Sequence, residues 1–111
     1  MAENSTLVIT IAQYGFGFAI PFVCLDADGT AYDISGLTLH LLVWKYRDVN
    51  DIILTGDMTI DVAALGTCHY TVVEHNFDIA GTYQCVVEGT VAGTRIAWGP
   101  ATLIVMAVPH T

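Results

Sequence analysis

Two aspartates ahead of a glycine, Asp26-Ala-Asp28-Gly29, are this chain's nearest approach to a ligand constellation. A calcium loop needs oxygen ligands at further alternate positions and closes with a glutamate at its twelfth. Those later positions are missing, so the segment reads as an Asp-Gly turn in which glycine supplies a positive φ. His40, His69, His75 and His110 are scattered, as are Cys24, Cys68 and Cys85. None has the His-x-x-x-His or Cys-x-x-Cys spacing that gathers donors around zinc. His40 and His69 have the parity opposite to the inward rows of their strands, which would let them meet across a sheet. A Gly-x-Ser-x-Gly nucleophile elbow and a phosphate-cradling glycine loop are absent. Cys85 falls at an inward position of an apolar strand, where a thiol acts as an inert small hydrophobe. The expectation is no metal, no cofactor and no catalytic residue, and the chain is read as a non-enzyme.

The elements carrying these residues follow a period of two, and helical i, i+3, i+4 stripes do not persist. Strands are expected over Thr6 to Ala12, Phe16 to Leu25, Thr30 to Asp33, Leu37 to Lys45 and Ile52 to Leu54. After a kink at Gly56 come Met58 to Val62, Thr67 to Val73, Thr82 to Glu88 and Arg95 to Val108, the last interrupted at Gly99-Pro100. Glu74 to Ala80 is the one plausible helical turn. Pro21 marks its strand as an edge or a bulge because it lacks a ladder donor. The inward rows are Phe18, Ile20, Phe22 and Cys24, then Leu37, Leu39, Leu41 and Val43, then Cys68, Tyr70 and Val72, then Tyr83, Cys85 and Val87. The strand from Leu37 to Lys45 is central, yet its second row, Thr38, His40, Leu42 and Trp44, is only half polar. Short strands with turn signals at this spacing belong to a β-sandwich or barrel, here one domain over residues 1–111 with short flexible ends.

Composition narrows the partners. Of 111 residues, 54% are hydrophobic and 13% charged, and 11 acids face three cations for a net charge of −8. So few cations cannot neutralise phosphates, which argues against nucleic acid and anionic membrane. The start, Met1-Ala-Glu-Asn-Ser5, lacks a basic leader, and no apolar run has membrane-spanning length. Three cysteines without a secretion signal fit reduced thiols made in a cytosol. The apolar excess points to an interface with other protein, and His40, Leu42, Trp44 and Trp98 are the candidate contact residues.

Two resemblances add to this reading. Gly81-Thr-Tyr83-Gln-Cys85 resembles the Gly-x-Tyr-x-Cys element of immunoglobulin domains, whose tyrosine makes a corner and whose cysteine pairs with one on an earlier strand. That resemblance would give Cys24 and Trp44 the roles of partner cysteine and core tryptophan, although parity turns Trp44 outward. The order of segments from Phe18 to Val105 is similar to the N-terminal domain of baseplate upper proteins of tailed bacteriophages. It is carried by the run from Phe22 through Asp28-Gly29, Asp33 and Gly36 to Leu39, then by Gly66 to Val72 and Phe77 to Tyr83.

The resemblance implies a single immunoglobulin-like antiparallel β-sandwich of seven to nine strands with a structural role in a virion. Tail, baseplate, head–tail connector and capsid decoration are all compatible with it. Implied partners are other virion proteins and further copies of the chain, with assembly in the host cytoplasm. The edges Thr6 to Ala12 and Arg95 to Val108 would be docking seams if unpaired. The alternative is a carbohydrate or cell-surface recognition module using Trp98 and Tyr46 beside Asp48 and Asp51.

Overall fold

A strand with one buried face alternates burial residue by residue, and Thr38–Lys45 does so along its length in the computed structural model, which describes residues 8–109. Eight strands follow in chain order: β1 (Val8–Ala12), β2 (Ala19–Val23), β3 (Thr38–Lys45), β4 (Ile52–Asp57), β5 (Thr59–Val62), β6 (Thr67–Thr71), β7 (Gly81–Val91) and β8 (Thr94–Met106). A 3-10 turn, Ala63–Leu65, joins β5 to β6. Five strands form one sheet in the order β1-β8-β7-β3-β4, and three form the other in the order β2-β6-β5. The two sheets make an immunoglobulin-like β-sandwich whose core lies between them. Pairing is antiparallel throughout these sheets except between β1 and β8, which run parallel.

The inward rows read from the sequence meet in that core. Leu39, Leu41 and Val43 of β3 and Tyr83, Cys85 and Val87 of β7 face Ile20 and Phe22 of β2 and Cys68 and Tyr70 of β6. β4 does not stop at Leu54 before a kink but continues through Gly56 to Asp57. The glycine is there for close approach, since a Cβ at this position would overlap the Tyr70 ring from the opposite sheet. β2 is an edge strand, so Pro21 sits where a missing N–H is tolerated.

Three expectations are corrected. Thr30 to Asp33 is not a strand: only one bridge, Leu25 with Ala31, survives. The chain there is held by turns in which Asp28 Oδ1 accepts from the Thr30 amide and Asp33 Oδ1 from the Ser35 amide. Glu74 to Ala80 is not helical, because His75 takes a left-handed φ of 74° and Asn76 Oδ1 accepts the Val73 amide at 2.8 Å, closing a turn instead. β8 is an edge over only part of its length: β7 pairs along one side, and on the other β1 covers Thr102 to Met106, while no described strand pairs there with Thr94 to Ala101.

The entry into β7 is fixed by a tyrosine corner. Tyr83 Oη donates to the Ile79 carbonyl at 2.7 Å while the ring packs into the core. Burial raises the Tyr83 phenol pKa, with Asp51 adding to the rise, so the hydroxyl stays a donor. Tyr83→Phe should therefore cost about 0.5–1.5 kcal/mol, the net worth of one such hydrogen bond. Urea denaturation should show a lower midpoint at unchanged slope; an unchanged midpoint would mean that the corner contributes nothing.

Candidate protein-interaction face

The outer face of the five-stranded sheet is built by cross-strand rows, because residues paired in register project to the same side. One row runs Ala97, Glu88, His40, Asp57 across β8, β7, β3 and β4. The next contains Val86, Leu42 and Thr55. A third runs Val8, Thr102, Gln84, Trp44 and Ile52, spanning all five strands. Charge is concentrated in and beside the first row. His40 Nε2 lies 3.2 Å from Asp57 Oδ1, and Arg95 forms an ion pair with Glu88.

Beyond that row the surface is apolar and hydroxyl-bearing. Leu42, Trp44, Val49, Ile52, Val86 and Arg95 line a shallow depression of about 200 Å³. Val49 is 67% exposed and Ile52 53%, so the rim is open to solvent. Trp44 Nε1 donates to Gln84 Oε1 at 3.3 Å, which satisfies the indole within the sheet. The rest of its ring can then be covered by an apolar partner without stranding a donor.

Of the four residues expected at a contact surface, the structure brings His40, Leu42 and Trp44 to this face and takes Trp98 away. Trp98 is only 2% exposed and meets the Tyr32 ring edge-on at 5.3 Å between centroids. A register shift between Cys85 and Val87 accounts for this: Cys85 pairs with Ala101 but Val87 with Trp98, so parity along β8 changes at Gly99-Pro100. Trp98 thus belongs to the core beside Val87. Val49, Ile52 and Val86 join the face without having been picked out from the sequence. The alternation of β7 could have indicated Val86, whereas the placement of Val49 depends on how the exposed loop between β3 and β4 folds back.

The remaining titratable groups are dispersed. His40 and His69 do not meet, since β3 and β6 lie in different sheets; His69 Nδ1 instead pairs with Asp61 at 2.8 Å. Among the described residues no group of three or more His, Cys, Asp or Glu is placed to hold a metal ion. The fourth histidine, His110, lies outside the described residues. All three cysteines are buried thiols. Cys24 has its thiol contact with Cys68 rather than Cys85, and that hydrogen bond together with burial raises its pKa. Burial pushes the Cys85 thiol up to about 12, so it remains protonated and unreactive near neutrality. No protein-family profile and no curated protein matches the chain. Among the described residues no helix is long and apolar enough to cross a membrane.

The two tryptophans should respond oppositely to truncation. Trp98→Ala should cost roughly 3–5 kcal/mol, the range for emptying a buried aromatic site. Trp44→Ala should cost about 1 kcal/mol or less, as for a surface position. Chemical denaturation of both variants checks the contrast, and equal losses would contradict the assignment of faces.

At one end of the sandwich, His75 Nδ1 lies 2.7 Å from Asp78 Oδ2. This hydrogen bond, the Asp78 charge and then Glu74 raise the imidazole pKa above its ordinary 6.5. The associated stabilisation is complete below the ordinary pKa and is lost as pH rises through the raised folded value. An NMR titration should show the His75 midpoint above 6.5, and Asp78→Asn should bring it down. A midpoint unmoved by Asp78→Asn would contradict this pairing.

Proposed function

We propose that this chain is a structural or accessory component of a tailed-bacteriophage virion, acting through protein–protein interfaces and not through catalysis. The observation that carries the reading is the outward-facing apolar band of half-buried Val86, Leu42 and Trp44 with exposed Ile52, on a sheet whose inner face is already full. Exposed apolar patches of this kind on a small domain mark interaction surfaces. The virion assignment draws on the segment order similar to baseplate upper proteins. Its punctuation residues have definite structural jobs here: Asp28 and Asp33 close turns, Gly66 takes a left-handed φ of 69°, and Tyr83 makes the corner. The partners in this reading are other virion proteins and copies of the chain itself, assembled in the host cytoplasm.

Carbohydrate recognition draws less support. With Trp98 in the core, the loop keeps only Tyr46, and the Arg47 guanidinium lies 5.2 Å from that ring. Asp48 is engaged in the loop's own turn, where its Oδ1 accepts from the Asn50 amide.

The test is to purify virions by density gradient from a lysate of the producing host and to quantify the chain by mass spectrometry. The expected result is a fixed copy number per particle that survives a high-salt wash, since apolar contacts are not screened. Particles devoid of the chain, with all of it in the soluble fraction, would contradict the virion reading. Selective binding on a glycan array, abolished by Tyr46→Ala, would favour the recognition module instead.

A further inference from the structure

We infer that the outer face of the five-stranded sheet docks a second copy of this chain, sheet upon sheet, with Trp44 and Leu42 at the centre of the contact. The inference rests on the reading of the chain as an assembly module and names the occupant of its exposed face.

Charge selects the occupant. The protein carries −8 overall, so two copies repel unless they meet where each is locally neutral. The outer face comes nearest to that condition: Glu88 is paired with Arg95, the rows beyond carry no charge, and the one further acid of these rows, Asp57, sits exposed on the edge strand β4. The acids of the Asp26 to Asp33 turns lie elsewhere and are exposed. A basic partner would be drawn to those loops, whereas the uncharged rows of this face suit a surface like themselves. A two-fold dimer meets this requirement because it places the same patch on both sides.

Area sets the size class of the contact. Five strands at ~4.8 Å spacing, each crossing roughly 25 Å, offer about 600 Å² per copy. Two copies would bury about 1,200 Å², the lower bound for a specific interface. Packing the two outer faces about 10 Å apart would interleave their side chains as in a sandwich core. A contact at this lower bound falls in the class of reversible associations.

Sedimentation velocity across the micromolar to millimolar range tests this on the full chain. The wild type should pass reversibly from monomer to dimer, and added salt should tighten the dimer by screening net repulsion. Ile52→Glu, which places a charge on the rim of the face, should weaken dimerisation about tenfold or more. Ile79→Glu, at a site 74% exposed beside the tyrosine corner and off this face, should leave it unchanged. Circular dichroism of both variants confirms that they are folded. A monomer at every concentration overturns the inference, as does a dimer weakened by Ile79→Glu and not by Ile52→Glu. Either result leaves the virion reading to be decided by particle composition, so the two failures are distinguishable.

Discussion

The pleat of β3 is the constraint from which the rest of the structure follows. Successive side chains on a strand point to opposite faces, so Leu41 and Leu42 cannot both enter one core. A two-layer sandwich offers β3 one buried face, and Leu39, Leu41 and Val43 fill it against the three-stranded sheet. His40, Leu42 and Trp44 must then lie on the outside. With β7 on one side and β4 on the other, β3 can neither rotate nor slip without exposing its sealed row.

The inner layer is finished by devices that each join distant parts of the chain. Tyr83 pins the start of β7 to the carbonyl of Ile79, and Gly56 lets the Tyr70 ring from the opposite sheet press against β4. Trp98 completes the layer beside Val87, where the β7–β8 register shifts. Cys24 and Cys68 lie together in the same layer as packed thiols. No side-chain nitrogen or oxygen among the described residues is left buried without a partner. The inner layer therefore has no unmet polar demand to signal a ligand, and attention moves to the outer surface.

Sequence pattern made much of this legible because parity is a local property. The inner rows of β2, β3, β6 and β7 follow from alternation alone, as does the outward turn of Trp44. What stayed hidden depends on events between strands. The register shift opposite Gly99-Pro100 moves Trp98 from the expected surface to the core, and alternation within one strand cannot reveal it. The parallel seating of β1 beside β8 covers the Thr102 to Met106 end of β8, and it depends on a contact between distant parts of the chain. The turn at His75 and Asn76 resembles a helical segment in composition, yet a side-chain-to-backbone hydrogen bond closes it differently. The candidate face was thus half visible: Leu42, Trp44 and His40 by parity, with Val86 within reach of the same argument along β7, but Val49 and Ile52 only once β4 and its loop were set beside β3.

Low charge and high apolar content acquire a spatial meaning in this arrangement. Acids crowd the turns and loops, while the outer face of the larger sheet gathers its charged side chains into one row and leaves the rows beside it uncharged, which is the arrangement the proposed association would use. Hydroxyl-radical footprinting at low and high protein concentration tests that claim most directly. Trp44, Val49 and Ile52 should be labelled in dilute solution and protected together in concentrated solution, with Trp98 unlabelled in both. Equal labelling of Trp44 at the two concentrations, or ready labelling of Trp98, would contradict it.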